Sequence, residues 1–336
     1  MKSDQGVPPE SIVRAANSRG FTVSDAQLHR WRSQGLIPRP KVHGLGRGRG
    51  AASVYPVRTD QQVVALCELL AEDRRLDLAA LALFFQGYPV SVELLKSILM
   101  AAADQWETTT SNMVDDTGLT PKGLDLLDKM VFGRLKSSPI ARARGRLRKS
   151  GFETFIRMLI FVAAGEKPDF LKETDGDAAE PDILKKGLGI ETALRTWIKA
   201  DDNELRSSIG SLATHFNQVA LHATLQEVDE DALNVCKAEL LIVWQTVMDL
   251  KACFRALDEK DALGLGGLPD IDFTRSSTLV PMMLLVWIHL KTMPEVAENI
   301  PEVIASATKV SSLRNLLESH PKLVKPVKAA LGLMGA

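Results

Sequence analysis

The segment VSDAQLHRWRSQGLIP, residues 23–38, is the feature that most constrains how this chain folds. Ser24 followed three residues later by Gln27 is the pattern of an N-terminal capping box, in which each residue bonds the other's backbone. Gly35 is the residue type at which helices commonly end. These signals predict a short helix over residues 24–34.

The two sides of this helix differ in chemistry. Leu28 and Trp31 lie one turn apart and are expected to be core residues that face a first helix over residues 9–18. The remaining side chains are expected to point outward: Asp25, Ala26, His29, Arg30 and Ser33. Two short helices joined by a turn, with a polar and basic second helix, are typical of a helix-turn-helix unit whose second helix enters the DNA major groove.

A glycine-rich and arginine-rich segment follows the second helix directly. Its composition predicts a β-hairpin over residues 42–55, after which Thr59 is expected to cap the next helix. Arg47 and Arg49 are two residues apart, so on an extended strand they point the same way and could contact a DNA backbone or minor groove. A solvated loop is the alternative. The segment lacks the spacing and context of a dinucleotide-binding loop or a P-loop.

Charge is unevenly distributed along the chain. Residues 1–58 hold ten Lys and Arg and three acidic residues, a net charge of +7, whereas the rest of the chain carries −8. A compact basic segment on an acidic body predicts a polyanionic partner for that end. The candidate DNA-contacting residues are Asp25, Gln27, His29, Arg30, Arg32, Arg39, Lys41, Arg47, Arg49 and Arg58.

The individual candidates have competing interpretations. Gln27 could bond an adenine edge, but we favour a role as the capping partner of Ser24. Arg30 points outward on the second helix and has a phosphate or a guanine as its expected partner. His29 is a contact or a solvent-exposed side chain.

Residues 9–90 resemble the DNA-binding domain of MerR-type transcriptional regulators. The matching positions, in order along the chain, are Val23, Ser24, Leu28, Gly35, Leu36, Ile37 and Tyr55, the last at the end of the hairpin. Positions 27 and 29–32 differ from the usual family pattern, so the family's base preference is not implied. The resemblance implies a winged helix-turn-helix that regulates transcription, usually as a homodimer on a palindromic operator, with RNA polymerase as a further partner.

The remainder of the chain is predicted to be helical, with hardly a strand signal. Apolar residues recur at helical spacing over residues 205–223 and 233–257, and a strongly apolar helix is expected over 276–291. Residues 134–149 hold seven basic and no acidic residues, which indicates either a second phosphate contact or a linker. The polar segment 166–182 is interpreted as a loop between subdomains.

Sequence patterns for catalysis, metal binding and membrane insertion are lacking. The three cysteines are far apart, His215 and His222 share a helix face without further ligands, and the known hydrolase and protease motifs are missing. The longest apolar run is far shorter than a membrane span. We therefore expect no enzyme activity, cofactor, metal or membrane partner, and a cytoplasmic location.

These observations together predict a mainly α protein with an N-terminal winged helix-turn-helix domain and an all-helical C-terminal bundle. The expected division is residues 1–90 for DNA binding, 91–150 for a helical connector, and 151–336 for dimerisation or effector functions. The expected function is sequence-specific regulation of transcription through helix 24–34 and wing 42–55. The alternatives are a DNA-architectural or mobile-element protein, and a protein-interaction adaptor.

Overall fold

The chain is mainly α-helical. The computed structural model describes residues 6–44, 51–115, 118–125, 218–256, 271–277 and 279–326, together with positions 153, 156, 157 and 160. The principal helices in these ranges are α1 (Pro9–Ser18), α2 (Asp25–Ser33), α3 (Thr59–Glu72), α4 (Leu76–Phe85), α5 (Val92–Ser111), α6 (Gln218–Glu227), α7 (Glu230–Ala256), α8 (Val280–Leu290) and α9 (Pro294–Ser319).

Two short antiparallel hairpins accompany the helices. In the first, β1 (Lys41–Gly44) pairs with β2 (Ala51–Val54), with Lys41 opposite Val54 and Gly44 opposite Ala51. The second pairs β3 (Val114–Asp115) with β4 (Gly118–Leu119).

The chain forms two compact units, each built from separate stretches of sequence. The first consists of Met1–Ala102, Leu225–Lys237 and Ile271–Ile288. The second consists of Ala103–Thr224, Ala238–Asp270 and His289–Ala336. The boundaries at residues 90 and 150 that the sequence suggested stay predictions.

Helix α4 forms the core of the first unit. Its sequence, LDLAALALFF, is apolar on every side, and all residues from Leu78 to Phe85 are buried. A helix that is apolar all round needs neighbours on all sides, and α3 packs against it. Other contacts come from far along the chain, where the Phe273 ring lies 4.9 Å from the Phe85 ring between centroids and Lys237 Nζ donates to the Phe84 carbonyl.

Lys237 contacts the C-terminal end of α4 in two ways. Its Nζ lies 3.2 Å from the Phe84 carbonyl oxygen and 4.3 Å from the centre of the Phe84 ring. A positive charge is favourable at the negative end of a helix dipole. Burial lowers the pKa of this lysine below its ordinary value. The lysine therefore joins α7 to α4 by electrostatic as well as apolar contact.

Gln62 is a buried polar residue on α3 that joins two other segments. Its Nε2 donates to the Leu36 carbonyl at 2.8 Å and to the Pro89 carbonyl at 2.7 Å, and the side chain is fully buried. Leu36 follows α2 and Pro89 precedes α5. One side-chain amide thus links the segment after α2 to the segment before α5. It also supplies a hydrogen-bond donor to the backbone carbonyl of each segment.

The second unit contains a buried ionic contact between α7 and α9. The Asp249 carboxylate is buried and accepts hydrogen bonds from Gln245, Ser311 and Arg314. Cys253, one turn further along α7, packs with Leu317. A buried carboxylate requires such donors, because an unpaired charge in the interior is costly.

Most predicted helices in the described ranges are confirmed. The predicted helix 9–18 is α1, residues 24–34 contain α2, and the connection before α7 is as short as expected. Residues 205–217, and the basic and acidic segments 134–149 and 166–182, lie outside the described residues.

Two predictions on local structure are wrong. Thr59 does not cap α3, because it is the first helical residue and its hydroxyl donates to the Pro56 carbonyl, while Arg58 occupies the N-cap position. The pair β3 and β4 was not expected beyond residue 90. A hairpin with two residues in each strand is too short to show the alternation by which strands are predicted.

We predict that Gln62→Leu lowers the free energy of unfolding by about 2 kcal/mol, because the carbonyls of Leu36 and Pro89 each lose a donor. Urea unfolding of the full chain, followed by circular dichroism, measures this. Gln61→Leu on the same helix is the matched control, since Gln61 is exposed. Equal effects of the two substitutions would contradict a bridging role for Gln62.

Candidate nucleic-acid interface

The N-terminal end of α2 is fixed by the predicted capping box. Gln27 N donates to Ser24 Oγ at 3.2 Å, and Ser24 N donates to Gln27 Oε1 at 2.9 Å. The capping role predicted for Gln27 is therefore confirmed. Its carboxamide oxygen is engaged with the N-cap backbone, so any contact to a base would have to use Nε2.

The C-terminal end of α2 is fixed by Gly35 in the left-handed region. Gly35 has φ 78°, its N–H bonds the Arg32 carbonyl at 3.1 Å, and Leu36 N–H bonds the Trp31 carbonyl at 2.9 Å. This is a Schellman arrangement, which satisfies carbonyls at the helix end. A Cβ at Gly35 would lie 2.5 Å from Ser91 Cβ, and Ser91 N–H bonds the Gly35 carbonyl at 2.9 Å. The position therefore requires glycine for conformation and for space.

The two faces of α2 have the predicted burial. Leu28 and Trp31 are buried, with 2% and 6% of their surface exposed. The five residues predicted to point outward are all exposed: Asp25, Ala26, His29, Arg30 and Ser33. Helix α2 is thus held by its two ends and by two apolar side chains, and its outer face is free of packing contacts to the unit's core.

The first hairpin follows α2 and is anchored at its base. Val7 and Tyr55 exchange two backbone hydrogen bonds of 2.8 Å, and the Tyr55 side chain is buried. Every residue of β1 is exposed, including Val42 with 65% of its surface accessible. An isolated two-stranded hairpin is marginally stable in water, so the anchor at Tyr55 holds the hairpin in place while both faces of β1 remain accessible.

The predicted contact residues fall into three groups. Asp25, His29 and Arg30 are exposed on α2, where Gln27 and Arg32 are half-buried; Arg39, Lys41 and Arg58 are exposed outside it. Arg47 and Arg49 lie outside the described residues.

The basic side chains near α2 form no salt bridge with a described carboxylate. Within the described part of the chain, no ion pair involves Arg30, Arg32, Arg39 or Lys41. Asp25 is the one acidic residue between Glu10 and Asp60. A surface on which cations outnumber carboxylates is complementary to a polyanion.

A polar cleft of about 790 Å³ adjoins the C-terminal end of α2. Arg32 and Arg39 line it together with Glu93, near the start of α5. The Ser91 hydroxyl donates to Glu93 Oε2 at 2.6 Å and lowers the pKa of that carboxyl, with smaller contributions from Lys96 and Arg39. Glu93 is therefore charged at neutral pH and places a negative charge in the same cleft as Arg32 and Arg39.

Arg58 has a geometry that the sequence did not predict. It has φ 71°, its guanidinium carbon lies 5.2 Å from the centre of the Tyr88 ring, and its Nε donates to Gln61 Oε1 at 3.4 Å. The sequence signal pointed to Thr59 as the cap. Neither the left-handed backbone nor the contact with Tyr88, thirty residues later, has a local sequence signature.

Several further side chains bear on catalytic or metal chemistry. In the ranges that the structure describes, no three His, Cys, Asp or Glu residues are grouped as metal ligands, and no helix has both the length and the apolarity to cross a membrane. His222 Nε2 lies 2.9 Å from Asp104 Oδ1. Burial, with a smaller contribution from Glu68, raises the pKa of the Cys67 thiol to about 11, so this cysteine is protonated at neutral pH.

No protein-family model, curated protein or solved structure matches this chain.

We predict that Gly35→Ala lowers the free energy of unfolding by about 2 kcal/mol or more, because it adds left-handed strain and a clash with Ser91. Gly20→Ala is the matched control, since Gly20 has φ 83° but no atom within 4 Å of the point that an alanine Cβ would occupy. The difference between the two variants in urea unfolding measures the Ser91 contact. A smaller loss for Gly35→Ala than for Gly20→Ala would contradict the close approach.

Proposed function

We propose that this protein binds duplex DNA sequence-specifically and regulates transcription. In this proposal α1 and α2 form a helix-turn-helix, the first hairpin is its wing, and α2 is the helix that enters the major groove. The observation that carries the proposal is the outer face of α2. Arg30 and His29 are exposed there, on a helix whose two ends are fixed by the capping box and by Gly35. Within the described residues, Arg30 forms no salt bridge with a carboxylate.

The proposed contacts differ in kind along the surface. Arg30 projects from the middle of a well-fixed helix, so it has the defined geometry that a bidentate bond to a base requires. Arg39 and Lys41 lie at the entrance to the hairpin and are suited to phosphate contacts, which position a protein without selecting a sequence. Arg47 and Arg49 are assigned to the wing from the sequence alone, also as phosphate contacts.

The proposed regulator acts as a homodimer. One α2 helix covers only a half-site, so specificity requires a second copy about one helical turn away on the DNA. RNA polymerase is a further proposed partner, as expected for a promoter-bound regulator, and the proposed location is the cytoplasm. The resemblance of residues 9–90 to MerR-type regulators supports each of these points by analogy.

We predict that Arg30→Ala weakens binding to a preferred duplex by about 1–3 kcal/mol and binding to a scrambled duplex much less. The preferred duplex is selected from a randomised library by the full-length protein. The full chain is required because residues 237 and 273 complete the packing around α4. Fluorescence anisotropy at several salt concentrations measures both affinities.

The matched control is the pair Arg39→Ala and Lys41→Ala, which should weaken both duplexes alike and lower the salt slope by about 0.9 for each lost phosphate contact. Arg74→Ala, on the exposed α3 to α4 connection, controls for net charge. Salt-insensitive binding, or none at low salt, would overturn the proposal in favour of a protein-interaction adaptor. Binding with no sequence preference would favour an architectural protein.

We predict that the full-length protein is a dimer and that it binds a palindromic duplex far more tightly than a half-site. Sedimentation equilibrium measures the mass, and titration of the two duplexes measures the cooperativity. A monomer that binds both duplexes with equal affinity would contradict the dimer while leaving the DNA-binding face of α2 in place.

A further inference from the structure

Arg58 adopts a backbone conformation that disfavours its own residue type. Among the residues that the structure describes, it is the one non-glycine residue with positive φ, at 71°. Glycine adopts this conformation without steric cost, and three glycines of the same unit do so. The position therefore costs conformational energy that a glycine would avoid, and such strain persists where the side chain serves a purpose.

The Arg58 side chain is held on one face and along one edge. The guanidinium lies over the Tyr88 ring, within the distance of a cation–π contact, and Nε bonds Gln61. Within the described residues its two terminal nitrogens make no hydrogen bond. The outer edge of the guanidinium fork, which matches two phosphate oxygens, is thus available.

Tyr88 is itself firmly placed. It follows Gly87, which has φ 82° and ends α4, and its N–H bonds the Leu83 carbonyl at 3.0 Å. Leu83 belongs to α4, in which every residue from Leu78 to Phe85 is buried. The backbone of the residue that supports Arg58 is therefore bonded to the buried central helix of the unit.

We infer that Tyr88 is a positioning residue that holds the Arg58 guanidinium at the base of the hairpin for contact with a DNA phosphate. Arg58 lies three residues after Tyr55, which anchors the hairpin, and one turn before Gln62, which bonds the carbonyl of Leu36 after α2. Arg58 is thus close in sequence to the anchor of the hairpin, and the helix that it precedes is bonded to the segment that follows α2. The inference rests on the proposed function and adds to it an aromatic residue that acts without touching DNA.

A double-mutant cycle on the full-length protein tests the inference, with the selected duplex and its scrambled version as probes. Arg58→Ala should weaken binding to both duplexes about tenfold and lower the salt slope by about 0.9. Tyr88→Leu should weaken binding about threefold, because the cation–π support is lost. In the Arg58→Ala background, Tyr88→Leu should have no further effect, since its influence passes through the arginine.

Tyr88→Phe separates positioning from mere structure. It keeps the ring beneath the guanidinium, so binding should remain within about twofold of the original protein. Additive losses in the double mutant, or equal losses for Tyr88→Phe and Tyr88→Leu, would overturn the positioning role. If Tyr88→Leu fails to fold, the Tyr88→Phe and Arg58→Ala variants still test the inference. Loss of DNA binding in Tyr88→Phe would then overturn the positioning role.

Arg58→Gly gives an independent arm based on stability. Glycine relieves the positive φ, so the midpoint of thermal unfolding should not fall, whereas DNA binding should weaken as in Arg58→Ala. A lowered midpoint with unchanged DNA affinity would mean that Arg58 serves folding alone. If Arg30→Ala abolishes sequence preference while every Arg58 and Tyr88 variant binds DNA normally, this inference fails and the proposed function stands. If the original protein binds no duplex at all, the proposed function fails as well.

Discussion

The first unit depends on the carboxamide of Gln62, which joins the polypeptide after α2 to the polypeptide before α5. Its two hydrogen bonds place Leu36 and Pro89 against α3. The turn at Gly35 then meets Ser91 so closely that a methyl group would not fit. The orientation of α2, and with it the direction of Arg30, therefore follows from contacts made on the inner side of the helix, away from any partner. For the proposed DNA contact, a surface supported in this way needs little ordering, which reduces the entropic cost of binding.

The local features of this unit could be predicted from sequence because each has a short-range cause. The capping box of Ser24 and Gln27 and the helix end at Gly35 depend on residues within a few positions of one another, and the burial of Leu28 and Trp31 follows from helical spacing. The outward face of α2 was predicted by exclusion, since it consists of side chains that remain once Leu28 and Trp31 are assigned to the core.

The features that the sequence did not predict depend on distant residues or on backbone strain. Lys237 and Phe273 pack on α4 from positions more than 150 residues away, and no spacing rule connects them. The N-cap at Arg58 violates the preference for Ser, Thr, Asp or Asn that pointed to Thr59. The unusual N-cap residue makes a tertiary contact with Tyr88, and local helix-capping preferences do not take such contacts into account. Such departures concentrate at functional or strained positions.

The discontinuous composition of the first unit has a consequence for how the protein is made. A chain emerges from the ribosome with its N-terminus first. Helices α1 to α4 therefore emerge long before the stretch Ile271–Ile288, which belongs to the same unit. Until then Phe84 and Phe85, which are buried in the finished protein, lack part of their cover. Exposed apolar surface of this kind promotes aggregation and binding by chaperones. Maturation of the unit that carries the basic N-terminal surface is thereby linked to translation of residues 271–288, and chains that stop before this stretch present an unfinished core.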